Sequence, residues 1–327
     1  MSDINFGIDL SNRGLVFLKD EYKFENLLQI AESAESEGWY CLTLGDGFIA
    51  KPRWDPIILH SAIAMVTKKI KLATATLNIN YREPLLFARD WAVLDNISHG
   101  RTVLGLGVGS TSRSSIGGIE VTIDREMELV GNGRHIQRKG SMLEEWIILC
   151  RKLWTEDFVS FHGKSFNYDG VRIEPKPYQK PSPPIKMAAG VVDLKDFVID
   201  RLARVADGWL TSSVDVEKFQ NTWARVKERL KANKRDVNQF SVTFEVSGVL
   251  AEDPTTVKAD MSAWYKGYYG VESAEQVSRF AVGNASYWIK QFTKWADAGV
   301  NTFSLRIPST KLEDQVKAFS KQVLPSF

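Results

Sequence analysis

Short apolar runs alternate with longer amphipathic segments along almost the whole chain. Ile4 to Leu10 reads as a strand. Glu21 to Glu37 follows as a helix, with Phe24, Leu27, Leu28, Ala31 and Ala34 on one face and Gly38 as its stop. Tyr40 to Leu44 is the second strand, and Asp55-Pro56 opens a helix through Thr67. Ile70 to Ile79 forms the third strand. Pro84 starts a helix that ends near Ser98-His99-Gly100, and Arg101 to Val108 is the fourth strand. From Gly109 to Gly133 the pattern loosens into Ser, Gly and charged positions, which predicts a long loop of the kind that is functional or mobile in a compact domain.

Helical periodicity returns from Arg138 to Trp154. Val159 to Pro184 carries five prolines and several aromatics, which predicts an excursion with a short hairpin. Then come strand five (Ile185 to Ala189), a helix (Leu194 to Val205), strand six (Gly208 to Thr211) and a helix (Val216 to Ala232). Strand seven runs from Val242 to Leu250, and helices follow over Pro254 to Tyr269 and Ala285 to Ala298. Thr302 to Ile307 is strand eight, and Leu312 to Val323 the last helix. Alternating strands and helices imply a parallel sheet. An open doubly wound sheet and a closed barrel both fit alternation, but eight is the barrel's number. The expected fold is therefore α/β, a single (β/α)8 TIM barrel over residues 1–327. The surplus beyond roughly 250 residues falls into insertions after strands four and seven and before strand five.

Charge narrows the function. Forty-two Lys plus Arg against forty Asp plus Glu leave a net +2, without the basic surplus of a nucleic-acid binder. Cys41 and Cys150 lie in apolar runs and read as buried small hydrophobes. Met1 to Asn5 has neither a basic nor an apolar leader pattern, and no apolar run reaches the ~18 residues of a membrane span. A soluble, cytoplasmic protein with no nucleic-acid or membrane partner is expected.

In a barrel the chemistry sits where strands end at their C-termini. The run Gly105-Leu106-Gly107-Val108-Gly109-Ser110 fails the dinucleotide fingerprint, because Ser110 stands where glycine is required and no helix opens immediately. Barrel crowding explains Gly105, can extend to Gly107, and accounts less well for Gly109-Ser110. His60, His99, His135 and His162 are scattered without ligand spacing, so no metal is expected. Strand two ends in Gly45-Asp46-Gly47, where Asp46 is a catalytic candidate or a turn residue. Strand three ends in Thr74-Ala75-Thr76-Leu77-Asn78, and strand six in Thr211-Ser212-Ser213. Glu245 inside strand seven needs a partner, and Arg306 at the end of strand eight is the obvious one. Gly190-Val191-Val192 before a helix could seat a phosphate, with Asp193 competing for the same backbone donors.

Several segments, taken in order and spacing, resemble the bacterial-luciferase-like superfamily of flavin-dependent barrel enzymes. They are Ile70 to Asn78 leading to Pro84, Leu94 to Arg101 leading into Leu104 to Gly109, and Leu153-Trp154-Thr155. Phe161 to Phe166, Glu174 to Pro177, Pro183-Pro184-Ile185, Ala206 to Trp209, Gly283-Asn284-Ala285 and Trp295 to Val300 continue the likeness over essentially the whole chain. The resemblance implies reduced FMN, or the related coenzyme F420, bound at the C-terminal mouth. The ring would lie against Thr74, Ala75, Asn78 and Gly107, with Gly109 and Ser110 beside it and a non-prolyl cis peptide near Thr74-Ala75. The cofactor phosphate would sit at Gly190, Val191 and Val192. Many relatives carry a His after the strand-two Asp; here Gly47 follows Asp46, so that role does not transfer.

The leading expectation is a monooxygenase. Reduced FMN, supplied by a separate flavin reductase, would react with O2 through a C4a-peroxyflavin to oxygenate a small-molecule substrate, with Phe48, Trp54, Tyr81, Glu245 and Arg306 lining the substrate pocket and a homodimer as the assembly. The alternatives are an F420-dependent hydride-transferring oxidoreductase, for which Arg53, Arg113 and Arg306 could meet the cofactor's anionic tail, and a non-catalytic flavin-binding barrel.

Overall fold

The computed structural model describes residues 4–18, 22–49, 51–109, 113–116, 119–122, 139–190, 194–212 and 215–327. Its centre is a closed wall of eight parallel strand positions. In chain order these are β1 (Asn5–Asp9), β2 (Cys41–Leu44), β3 (Lys71–Thr74) with its continuation β4 (Leu77–Asn78), and β5 (Thr102–Gly107). Hairpin strands β6 (Arg113–Ile116), β7 (Ile119–Thr122), β8 (Val159–His162) and β9 (Asn167–Val171) intervene. The wall resumes with β10 (Ile185–Ala188), β11 (Gly208–Thr211), β12 (Ser241–Leu250) and, after the short β13 (Ala281–Gly283), β14 (Thr302–Arg306). Neighbours run β10, β11, β12, β14, β1, β2, β3, β5, and β5 pairs back onto β10 through Leu104 and Ile185, so the sheet closes into a (β/α)8 barrel.

The expected hairpin before strand five is β8–β9, and a second antiparallel hairpin, β6–β7, falls inside the segment expected to be a loop. Two differences bear on the site. The third strand is not continuous from Ile70 to Ile79: it breaks after Thr74, and a non-prolyl cis peptide joins Ala75 to Thr76, one residue beyond the expected place. Strand seven is long because it serves two partners. Thr243 to Ser247 pair with β14, whereas Gly248 to Leu250 pair with Ala281–Gly283, a strand that its short, half-exposed sequence does not announce.

The helices are held on the barrel by one apolar stripe each. In the helix Ala285–Ala298, Trp288, Phe292 and Trp295 are buried at helical spacing, Asn284 caps the Tyr287 amide, and Gly299 ends the helix in the left-handed region. Each such fully buried ring contributes roughly 2–3 kcal/mol of transfer free energy. No helix among the described residues is long and apolar enough to cross a membrane. Cys41 and Cys150 are buried free thiols, as their apolar surroundings imply.

Candidate active site

A cleft of about 590 Å³ opens at the C-terminal ends of the strands, within the usual size of a cofactor site. Ala75, Thr76, Gly107, Val108 and Gly109 form one end. Met187 to Gly190, Leu210, Thr211 and Ser212 form the other, with Leu143, Phe197 and Arg201 beside them, and Glu245 and Arg306 stand at its floor. Small residues shape the first end. A Cβ on Gly107 would come within 2.8 Å of Thr76 Oγ1, and one on Gly105 would overlap the Thr74 carbonyl. Gly105 is thus the product of crowding in the wall, and Gly107 of the cleft. Gly109 turns the chain away in the left-handed region, with φ 76°.

The residues present fit a flavin-type cofactor. The Oγ1 of Thr211 is buried in the cleft wall without a hydrogen-bond partner, a position that a bound polar ligand satisfies. A Cβ on Gly190, an exposed residue of the cleft lining, would meet nothing within 4 Å among the described residues. Arg201 lies against it with its side chain mostly buried, its Nε 3.4 Å from Glu144 Oε2 and its guanidinium 5.8 Å from the Phe197 ring centroid. Arg201 shares the Glu144 carboxylate with Arg204, which holds it at 2.8 Å, so one carboxylate serves two cations. Arg201 escaped the sequence reading because a cation on an amphipathic helix reads as a solvated face; the signal was its place, one turn after Phe197 in the helix that follows strand five.

The floor is an ion-pair cluster. Arg306 donates through Nε to Asp9 Oδ2 at 2.8 Å, and its Nη2 lies 2.7 Å from the same oxygen. The expected partner, Glu245, is second in line at 3.9 Å. Asp9 was missed because it ends an ordinary first strand, and only the β1–β14 register, which sets it opposite Arg306, shows the pairing. Burial pulls the Arg306 pKa down, but Asp9 and its tyrosine and Glu245 neighbours outweigh this and hold it well above its ordinary value. Burial raises the Glu245 pKa, with Arg306 opposing.

The remaining expected site residues serve the frame. The Asp46 carboxylate is almost wholly buried. It accepts from the Asn78 amide at 2.9 Å and pairs with Arg82, which also pairs with Asp55 at 2.6 Å. Burial raises the Asp46 pKa, opposed by Arg82. The Asp46 amide in turn donates to the Thr76 carbonyl. Asp46 therefore holds the chain just after the Ala75–Thr76 step, at the Thr76 carbonyl and the Asn78 amide, and does not line the cleft. Thr74 is occupied as a stitch between strands, its Oγ1 donating to the Gly105 carbonyl and accepting from the Gly105 amide. Asn78 is buried and its Oδ1 accepts from Asn80.

Phe48 is 61 % exposed, Trp54 stacks on Phe24 at 5.9 Å between centroids, and Tyr81 sits in a single 3-10 turn; none of the three lines the cleft. Ser110, Val191, Val192 and the competing Asp193 lie outside the described residues. The helix after them starts at Asp196, later than expected, with Lys195 at its N-cap. His60 is a core histidine: its Nε2 faces the Ala73 carbonyl at 2.8 Å. No three His, Cys, Asp or Glu among the described residues could hold a metal ion.

Comparison with known proteins agrees with this geometry. An uncharacterised protein of Mycobacterium tuberculosis is 32 % identical over 192 residues, 56 % of this chain and 62 % of the relative, so the match spans less than two thirds of that protein's length. An F420-dependent glucose-6-phosphate dehydrogenase of Amycolatopsis mediterranei is 26 % identical over 94 % of this chain and 95 % of its own. The crystal structure of a monooxygenase from Streptomyces bottropensis superposes with a TM-score of 0.80 at 20 % identity, covering 99 % of both chains, and so shares the fold. The family profile of the luciferase-like monooxygenases matches residues 4–305. The chain thus belongs to the luciferase-like monooxygenase family of oxidoreductases.

Proposed function

We propose that this chain is an oxidoreductase that binds reduced FMN in the cleft and uses O2 to oxygenate a small organic substrate. The observation that carries this reading is the continuity of the cleft. The small residues Ala75, Thr76 and Gly107 suit a flat ring, and Gly190 with Arg201 and the unpartnered Thr211 hydroxyl suits a ribityl phosphate. Bound reduced flavin supplies the two electrons that activate oxygen.

The chain's own residues bind, orient and exclude water. Arg201 meets the phosphate, together with the backbone at Gly190 and, outside the described residues, Val191 and Val192. Leu143, Met187 and Phe197 keep the wall apolar, a role the exposed Phe48 and Trp54 do not fill. Asp46, held by Arg82, acts as a positioning residue that keeps Thr76 in place. Glu245 and Arg306 face the substrate side. Ile58 and Met65 on one helix, with Leu86, Val93 and Ile97 on the adjacent one, form an exposed apolar surface that supports a homodimer. Reduced flavin would arrive from a separate reductase.

A second reading, hydride transfer with coenzyme F420, is favoured by the relative that matches almost the full chain. The test of the site is Arg201→Gln. It should weaken FMN binding about ten-fold, the loss of one charge-assisted phosphate contact, while the fold is retained. Unchanged FMN affinity contradicts this placement of the phosphate.

A further inference from the structure

Next to the floor of the cleft lies a second cationic group that the cofactor reading leaves unused. Arg13 is only 2 % exposed, and its Nε has no hydrogen-bond partner. The Nε and Nη1 of Arg53 are also buried without partners. Both guanidiniums stand over the ring of the buried Tyr268, at 5.6 and 5.7 Å from its centroid, and Arg13 also faces Tyr269 at 5.6 Å. Gly45 leaves room for Arg53: a Cβ there would come within 2.6 Å of Arg53 Nε.

Lys51 adds a further positive charge in the field of Arg53, Arg13 and Arg306. The carboxylates at hand are Asp9 and Glu245. Asp9 is committed to Arg306, and Glu245 lies nearer Arg306 than a distant Arg53 that only adds to its field. Neither Arg13 nor Arg53 forms an ion pair among the described residues. A buried guanidinium beside a partly buried one, neither with a counter-charge, is costly, and a bound anion would relieve that cost. Their planar donor forks match a carboxylate, sulfonate or phosphate. Arg13 follows the first barrel strand and Arg53 the second, and Arg53 and Arg306 act together on Glu245 and Tyr268, whereas Gly190 and Arg201 follow the fifth barrel strand.

We propose that Arg13 and Arg53 form the anion-binding end of the substrate pocket, so that the substrate is a small organic acid carrying a carboxylate, sulfonate or phosphate group. The substrate assignment rests on the oxidoreductase reading above; the anion site does not.

Isothermal titration of the whole protein with sodium sulfate and with sodium acetate, at fixed ionic strength, tests it. Wild type should bind sulfate saturably, and Arg53→Gln should weaken that binding about ten-fold or more while FMN affinity stays within about two-fold. Arg201→Gln should do the reverse. If Arg53→Gln fails to fold, Arg53→Lys retains the charge, loses the fork and should still weaken sulfate binding about three-fold. The proposal is overturned by absent sulfate and acetate binding, by equal binding in the Arg53 variants, by loss with Arg201→Gln alone, or by a parallel loss of FMN affinity in Arg53→Gln. Should wild type bind neither FMN nor F420 while sulfate binding still depends on Arg53, the oxidoreductase reading fails and the anion site stands.

Discussion

Lys186 Nζ donates to Thr243 Oγ1 at 2.7 Å across the barrel interior, and it forms no ion pair among the described residues. Burial lowers its pKa from 10.5 to about 8. Between those values the unfolded chain holds more protons than the folded one, so stability rises with pH there, and the full penalty applies below pH 8. The shift corresponds to at most about 3 kcal/mol. Lys186→Met should therefore raise the unfolding midpoint at pH 7, with the gain shrinking towards pH 10. Denaturant unfolding at both pH values checks this; a loss of stability at pH 7 would show that the amine is needed where it stands.

His60 works in the same direction at lower pH. Burial lowers its pKa from 6.5 to about 4, against the Ala73 carbonyl that favours the charged ring. Its neutral form is what the fold holds, so about 3 kcal/mol of stability present above pH 6.5 is lost as pH falls towards 4. His60→Gln keeps a donor for Ala73 and should flatten this part of the acid-unfolding profile. A profile identical to wild type contradicts the assignment.

The Asp46–Arg82 pair makes a third prediction. Removing Arg82 leaves the almost wholly buried Asp46 carboxylate unpaired, costing about 3–5 kcal/mol, whereas Asp46→Ala leaves Arg82 still paired with Asp55 and should cost less; the double variant should fall well short of the sum. The cycle should close with a large coupling energy in unfolding, and FMN binding should weaken in both single variants because the turn at Asp46, whose amide holds the Thr76 carbonyl, loses its side-chain anchor to Arg82 and, in Asp46→Ala, also to the Asn78 amide. Additive effects would mean that Asp46 does not act through Arg82.

The fourth prediction concerns assembly. Ile58 and Met65, 72 % and 68 % exposed, sit two turns apart on one helix face. Replacing both with Asp should shift the sedimentation coefficient from dimer to monomer without unfolding the barrel. A wild-type monomer, or a dimer indifferent to these changes, places the interface elsewhere.

The barrel was legible because each strand–helix unit carries its own period, and the two helices Val216–Ala232 and Pro254–Tyr269 begin and end where their caps and apolar stripes say. Gly107, Gly109, Ala75 and Gly190, which the family resemblance set beside the cofactor, all line the cleft. What failed was partnership. Asp46 looked free between two glycines, yet Arg82, thirty-six positions away, closes on it. Arg306 and Glu245 looked like a pair, yet barrel closure brings Asp9 nearer. Charges meet across the barrel through register and closure, and neither is written in local periodicity.

The central claim is that the cleft holds reduced flavin for reaction with oxygen. Titration with FMN, reduced FMN and F420, followed by rapid mixing of the reduced complex with O2, tests it directly. The account predicts preferential binding of reduced FMN and an oxygen-dependent transient whose absorbance differs from both oxidised and reduced flavin. Binding of F420 alone, with no such transient and with hydride transfer to or from an organic substrate, would contradict it.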